Sequence, residues 1–243
     1  FSLFLIIVPS SLFSEVFENL QNRQHYIGTY FQVASYFYEE PNIMNKESQL
    51  PFLGIGQKGF ITSIENPFLY EFDIQYGQTD YFGSAITTSD PTYILNTNLK
   101  KSWQFNEFDL LLGLGYRHLK DDWGGKQTAL GNYTYDRVSE YFYLSTGLTR
   151  ITSSQPNFSI NYRHLIRGKQ TSYLQSIPGY SNATNSQKTG FGLKAEYYFK
   201  NNLSIFIDYW NIDKSDNDQQ GQGIYEPSNY TTQIGFRYKL PLK

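Results

Sequence analysis

One set of side chains in this chain has the residue types and spacing for hydrolytic chemistry. His118 is followed by the acidic pair Asp121 and Asp122, and Asp80 lies earlier in the chain. A histidine beside carboxylates can act as a general base on an attacking water molecule. If these four side chains lay together, they could activate a water molecule for hydrolysis.

Two further sets have simpler chemistry. Ser159 and His164 could form the nucleophile and base of an acyl hydrolase if they met. The run Asp213–Asp218 offers oxygen ligands for Ca²⁺, but it lacks the glycine and the terminal glutamate of a calcium loop. Cysteine is absent, which excludes disulfides and thiolate zinc sites. The sequence therefore predicts a solvated loop, no metal site and no cofactor.

The elements that must position these residues are segments in which apolar and polar side chains alternate. A period of two predicts β-strands rather than helices. We predict about ten strands from this alternation. They span Ile27–Tyr38, Pro51–Thr62, Phe68–Phe82, Thr92–Trp103, Phe108–Leu119, Val138–Arg150, Phe158–Ser172, Thr189–Phe199, Leu203–Ile212 and Tyr230–Leu240.

The connections between these segments alternate in length. Short connections rich in turn formers cover residues 63–67, 104–107, 152–157 and 200–202. Long polar connections cover Glu39–Leu50, Gly83–Pro91, Lys120–Arg137, Gln175–Lys188 and Asp213–Asn229. This asymmetry predicts an antiparallel up-and-down barrel with short turns at one end and long loops at the other.

The last strand separates its side chains into two faces and resembles a known motif. Its apolar face holds Tyr230, Thr232, Ile234, Phe236, Tyr238 and Leu240, and its polar face Thr231, Gln233, Gly235, Arg237 and Lys239. The spacing of Gln233, Gly235, Phe236, Tyr238 and Leu240 resembles the C-terminal assembly signal of bacterial outer-membrane β-barrels. Aromatic residues make up 18% of the chain although its mean hydropathy is only −0.50, which suits strands between lipid and a polar lumen.

The resemblance is to small bacterial outer-membrane β-barrel proteins, the size class of OmpA, OmpX and the omptins, without one family being identified. It implies an all-β transmembrane barrel of about ten strands, with eight or twelve as alternatives. It also implies short periplasmic turns and long extracellular loops. The implied partners are outer-membrane lipid, lipopolysaccharide and the barrel assembly machinery, and we expect a monomer. A net charge of −2 provides no basic surface for nucleic acid.

Strand parity directs many charges into the lumen of such a barrel. The predicted lumen residues are Lys58, Glu71, Asp73, Asp109, Arg117, Arg163, Arg167, Lys194, Glu196, Asp208, Arg237 and Lys239. Charges in so narrow a space must pair or stay hydrated. The lumen is therefore either a polar plug or a narrow, charge-lined passage.

The two candidate hydrolytic sets described above can be compared with known outer-membrane hydrolases and with the predicted strand faces. Omptin-type proteases, which resemble this chain in size, carry acidic pairs and a histidine at the outer rim, but no matching motif surrounds Asp121 and Asp122. Outer-membrane lipid hydrolases need histidine and serine together on the lipid side, whereas Ser159 and His164 have opposite parity. We therefore predict no catalytic residues, with a hydrolase at the rim as the third interpretation.

The N-terminal segment precedes the barrel. Residues 1–14 contain the apolar core typical of a truncated secretory signal, which is too short for a helical span. Residues 15–26 are expected to form a periplasmic lead-in, and the barrel is expected over residues 27–243. This organisation places the chain in the outer membrane.

The long loops carry aromatic residues among small polar ones, a composition suited to recognition. The candidates for contact with an extracellular ligand are Trp123, Tyr133, Tyr135, Tyr180 and Tyr225. We predict a non-enzymatic surface or envelope interaction role for these loops. Alternatively, their tyrosines form the outer aromatic belt or tie the loops together. The alternative is a narrow porin-like channel for small solutes through the charged lumen.

Overall fold

The protein is a closed antiparallel β-barrel in the computed structural model, which describes residues 27–61, 67–83, 86–124, 133–150, 157–199 and 201–240. The strands are β1 (Gly28–Glu40), β2 (Met44–Ser48), β3 (Phe52–Ile61), β4 (Phe68–Gly83), β5 (Ile86–Phe105), β6 (Phe108–Asp121), β7 (Asp136–Arg150), β8 (Asn157–Tyr173), β9 (Ala183–Gln187), β10 (Gly190–Tyr198), β11 (Leu203–Ile212) and β12 (Asn229–Lys239). A 3₁₀ turn, Leu174–Ser176, follows β8.

These segments fill ten positions around the barrel. β2 and β3 both lie between β1 and β4, and β9 and β10 both pair with β8. β12 pairs with β1 over ten residues, from Tyr30 opposite Lys239 to Glu39 opposite Tyr230, which closes the barrel. The prediction of ten strands is confirmed, and the alternatives of eight and twelve are wrong.

Side chains alternate between a polar interior and an apolar exterior. In β6, Leu110, Leu112 and Leu114 are exposed on the outside, whereas Asp109 and Arg117 are buried. β12 repeats the pattern, because its even-numbered apolar residues point outward and its odd-numbered polar residues point inward. A water-soluble barrel has the opposite polarity. The fold is therefore that of a transmembrane, outer-membrane-type barrel.

The predicted strands lie close to the observed ones, but strand residues extend into several of the predicted long loops. The loop predicted over Glu39–Leu50 contains β2, and the one predicted over Gln175–Lys188 contains β9. Residues 83–91 were expected to form a long loop, but β4 and β5 continue as a paired hairpin up to Gly83 opposite Ile86. Pro91 is tolerated inside β5 because its nitrogen faces the β6 side, beyond the last paired residue, Asp121. Its carbonyl accepts a hydrogen bond there from the amide of Asp122.

A β-bulge in β8 corrects one predicted lumen residue. Phe142 pairs with Arg167 and Tyr143 with Leu165, so Ile166 is the additional residue. Both Ile166 and Arg167 are exposed on the outer face, while Leu165 is buried. The prediction that Arg167 lies in the lumen is wrong, because an inserted residue inverts the parity of all that follow it.

The predicted signal segment and lead-in, residues 1–26, lie outside the described residues, as does the tip of the Lys120–Arg137 loop. Within the described ranges, no helix is both long and apolar enough to cross a bilayer.

The outward position of Leu112 generates a test of the barrel's orientation in lipid. Leu112→Arg should lower the free energy of unfolding by about 2–4 kcal/mol, the usual cost of arginine near the midplane on the lipid face. Leu112→Phe should be nearly neutral. Chemical unfolding of the protein in lipid vesicles measures both, and an arginine variant as stable as the parent would show that this face does not meet lipid.

Candidate functional site

The residues predicted as a hydrolytic set at the rim point to different sides of the barrel wall. His118 lies on the outer face, where its Nδ1 is 3.4 Å from the hydroxyl of Tyr116. Asp121 is buried in the lumen, and the exposed Asp122 pairs with Lys120 at 3.3 Å. Asp80 lies on the outer face of β4. These residues therefore do not form one site.

The second predicted set is separated in the same way. His164 is exposed on the outer face of β8, whereas Ser159 is buried in the lumen and accepts a hydrogen bond from Thr149 at 2.9 Å. Alternation within one strand places them on opposite faces.

The acidic run Asp213–Asp218 forms part of an ordered connection. The carboxylate of Asp218 accepts hydrogen bonds from the amides of Gln222 and Ile224, at 2.9 and 2.8 Å. Asp216 pairs with Lys188 at the surface. These carboxylates therefore stabilise the loop.

A dense ion-pair cluster fills the lumen near the short turns. Glu71 is paired with Lys194 at 2.8 Å and with Arg237 at 3.2 Å, and Arg237 also pairs with Glu196 at 3.1 Å. The remaining members are Lys58, Asp73 and Lys100, all buried. Because these side chains come from β3, β4, β5, β10 and β12, the cluster joins strands on opposite walls.

The middle of the lumen is closed by arginine and aromatic side chains. Arg163 makes a bidentate ion pair with Asp208 and its guanidinium lies 4.4 Å from the ring centroid of Trp210. Arg117 lies 5.3 Å from the same ring. Within the described part of the chain, neither terminal nitrogen of Arg117 has a hydrogen-bond partner.

A second ion-pair cluster, which we call the outer cluster, lies beneath the long loops. It consists of Glu40, Lys46, Asp121, Arg137 and Glu226. Arg137 pairs with Glu40 at 2.7 Å, with Glu226 at 3.0 Å and with Asp121 at 3.1 Å. Lys46 pairs with Asp121 at 2.6 Å. All five residues are buried.

Several charged lumen residues were missed by the sequence interpretation: Glu40, Lys46, Asp90, Lys100, Asp121, Arg137 and Glu226. Strand alternation could have found Lys100, because it shares the inward parity of Asn96 and Asn98. No periodic pattern could have found Glu226, which lies in a connection where its backbone is hydrogen-bonded to Ser215. The predicted Lys239 is half-buried at the short-turn mouth, and Asp109 is buried.

Among the described residues, one cavity lies at each end of the barrel. The first, at the short-turn end, has a volume of about 20 Å³, which is enough for about one water molecule. The second, which we call the outer cavity, lies between the long loops and has a volume of about 250 Å³. Between the two cavities lie the ion pairs described above.

The outer cavity gathers most of the aromatic residues predicted for recognition. Trp123, Tyr133, Tyr135 and Tyr225 line it together with Tyr81, whereas Tyr180 is 55% exposed elsewhere on the loops. Trp123 is not a surface residue as expected, since it is only 5% exposed. Its ring packs edge-on against Tyr81 at 5.1 Å, and Thr134 donates a hydrogen bond to its carbonyl.

The residues of the assembly-like motif lie in β12 beside the closing strand β1. Phe236 and Tyr238 are exposed on the outer face, Leu240 follows the strand, and Gln233 is buried. Gly235 lies so close to β1 that a Cβ there would collide with the Val33 carbonyl. The glycine therefore permits the two end strands to meet.

No family model matches the chain, and no curated protein matches it. Among solved structures it is similar to the outer membrane protease OmpT from Escherichia coli, with 9% identity, a TM-score of 0.44 and coverage of 88% of this chain and 94% of that one. It is also similar to the β domain of the Bordetella autotransporter BrkA, with 9% identity, a TM-score of 0.43 and coverage of 88% of this chain and 99% of that one.

A third similar structure is the translocator domain of the autotransporter NalP from Neisseria meningitidis. The identity is 14% and the TM-score 0.35, with coverage of 95% of this chain and 94% of that one. Such low identities and TM-scores do not assign a function to this chain. The assignment of the fold rests on the strand pairing and on the polarity of the barrel wall.

The two central arginines should respond differently to substitution. Arg163→Met should lower the free energy of unfolding by about 3–5 kcal/mol, because it leaves the buried Asp208 carboxylate without its partner. Arg117→Met should cost much less, because the guanidinium of Arg117 loses no hydrogen bond. Urea unfolding followed by gel mobility compares them, and equal losses would contradict this account of the lumen.

The outer cluster should make stability depend on pH. Burial, together with the neighbouring Glu40, raises the pKa of Glu226 from 4.5 to about 7, although Arg137 opposes the shift. A raised carboxyl pKa means that the folded state holds a proton which the unfolded state releases. The contribution of Glu226 is therefore fully present below about pH 4.5 and is lost as the pH rises to about 7.

Glu226→Gln should remove this component. The difference in unfolding free energy between the variant and the parent should change between pH 4.5 and 7 and be constant on either side. A difference that is the same at every pH would show that Glu226 titrates normally.

Proposed function

We propose that the chain is an integral protein of a bacterial outer membrane whose barrel does not conduct, and whose outer end serves surface or envelope interactions without catalysis. The apolar outer wall and the polar interior support a position within a lipid bilayer. The long connections and the outer cavity support a role for the outer end. Recovery of the protein with outer membranes after carbonate extraction tests the location.

One observation carries the proposal: buried ion pairs occupy the lumen between its two mouths. The cluster around Glu71, the Arg163–Asp208 pair and the outer cluster lie one above another along the barrel. Opening a path would break several of these pairs at once, and an unpaired charge in this space recovers little hydration. The outer cavity is therefore a dead end that opens only toward the loops.

The alternative function is a narrow channel for small solutes. The observation that favours it is the number of charged groups of both signs along the lumen, since such groups line selective pores. A hydrolase at the rim has less support, because the predicted sets point to opposite faces of the wall.

The remaining partners follow from the same proposal. Phe236, Tyr238 and Leu240 would meet the assembly machinery as the C-terminal strand inserts, and the outer face would contact lipid and lipopolysaccharide. We propose a monomer, because the pairing of β12 with β1 closes the barrel and occupies the edges of the first and last strands.

Conductance distinguishes a closed barrel from a channel. The purified protein in a planar bilayer should show no steady current, and the Leu112→Phe variant should be equally silent. Regular single-channel steps in the parent, changed in size by Arg163→Ala or Arg117→Ala, would overturn the proposal and establish the channel.

A further inference from the structure

The outer cavity has the size and lining of a site for a small ligand. Its volume of about 250 Å³ is just below the range of about 300–1,000 Å³ usual for small-molecule sites. Its floor carries Glu40, Arg137 and Glu226, and its walls carry tyrosine and tryptophan rings. Such a cavity accommodates one compact molecule.

The charges beneath the cavity do not balance. The outer cluster contains three carboxylates, those of Glu40, Asp121 and Glu226, against the two cations Lys46 and Arg137. With every group ionised, the cluster carries one negative charge in excess. Arg137 and the hydroxyl of Tyr38 both bind the Oε1 atoms of Glu40 and Glu226, which holds the two carboxylates close together.

The aromatic rings at this end of the barrel already attract cations. Lys46 and Arg137 lie 5.1 and 5.8 Å from the Trp123 ring centroid, and Lys214 lies 3.7 Å from that of Tyr225. A cation over an aromatic face is attracted by the ring quadrupole, and the attraction grows when water is excluded. The walls and the floor therefore favour the same sign of charge.

Several buried donors in the described part of the chain lack an acceptor, and the indole of Trp123, in the cavity wall, is one of them. The indole N–H of Trp123 has no hydrogen-bond partner among the described residues, although Trp123 is buried and lines the cavity. Leaving a buried donor unpaired is unfavourable, because the donor has lost its hydrogen bond to water. A ligand that carries an oxygen atom could supply the missing acceptor.

We infer that the outer cavity binds a small organic ammonium ion that also carries a hydroxyl group, with the ammonium next to Glu40 and Glu226 and the hydroxyl next to Trp123. The inference rests on the proposed function, because it requires a barrel that is closed beneath the cavity. It specifies the chemical class of ligand that the outer end would recognise.

The groups around Glu226 give this site a dependence on pH. Glu226 faces Tyr38 and Glu40 of β1, Arg137 of β7 and the neutral Gln170 of β8, with Lys46 and Asp121 behind them. Because burial raises the pKa of Glu226 to about 7, a proton and an organic cation compete for the same excess charge. Roughly a tenth of Glu226 is ionised at pH 6 and roughly nine-tenths at pH 8, so affinity for the cation should rise about tenfold.

Choline is a suitable probe because its charge is permanent and it carries one hydroxyl. Calorimetric titration of the folded, full-length barrel in detergent should detect choline binding that strengthens about tenfold from pH 6 to pH 8. The neutral isostere 3,3-dimethylbutan-1-ol should bind at least tenfold more weakly, and ethyltrimethylammonium, which lacks the hydroxyl, should bind with intermediate affinity. Glucose should not bind.

Two isosteric variants test whether the carboxylate of Glu226 binds the ammonium group. Glu226→Gln should weaken choline binding about tenfold or more at pH 8 and remove its pH dependence. Asp213→Asn, the same change at an exposed position of the same connection, should leave binding unaltered. Heat-modifiable mobility on gels verifies that both variants are folded.

The outcomes separate this inference from the proposed function. Equal binding of choline and its neutral isostere, or choline binding unaffected by Glu226→Gln, would overturn the ammonium site. Binding of glucose without choline would overturn it in favour of a neutral saccharide. If the protein shows neither conductance nor choline binding, the closed barrel is supported and only the ammonium site is wrong. Steady conductance would contradict the proposed function whether or not choline binds.

Discussion

A charge inside a ten-stranded barrel can recover its lost hydration only from an opposite charge or from a hydrogen-bonding side chain. In this protein that requirement is met by contacts that run across the lumen: Arg237 of β12 reaches Glu71 of β4 and Glu196 of β10, and Arg137 of β7 reaches Glu40 of β1. Each such pair joins walls that the backbone hydrogen bonds do not connect directly. The ion pairs therefore both fill the lumen and hold its shape.

The same requirement explains the two exceptions. Arg117 lies against Trp210 and lacks a hydrogen-bond partner among the described residues, so the middle of the lumen carries a charge held mainly by an aromatic face and by the nearby Asp208. The outer cluster has the opposite imbalance, with a carboxylate in excess. The first exception is sealed inside the barrel, whereas the second lies beneath a cavity that opens toward the loops. Only the second is placed to act on a molecule arriving from outside.

The outer wall follows a simpler rule. Leucine, isoleucine, phenylalanine and tyrosine side chains cover it, and the pairing of β12 with β1 closes the wall. The bulge at Ile166 places on this wall a charge, that of Arg167, which simple alternation would have directed inward. Arg167 lies there near the upper end of β8, where a long cationic side chain can reach the polar interface of a bilayer.

The sequence by itself determined the class of fold, the number of strands and most of the facing, because a period of two along each strand fixes which residues share a side. Residues such as Leu112 and Asp109 could be assigned from that rule alone. Three features could not be read from a period along the chain and were decided only by the tertiary structure. They are the bulge that turns Arg167 outward, the continued pairing of β5 with β4 past Pro91, and the inward orientation of Glu226.

The outer cavity belongs to this second group. Glu40, Trp123, Arg137 and Glu226 come from β1, β7 and two different connections, and no spacing in the chain relates them. They meet because barrel closure brings the first and last strands together and folds the loops over one mouth. Alternation along the chain thus determined which side chains face outward and which face the lumen. The contacts across the lumen determined which residues meet at the outer cavity.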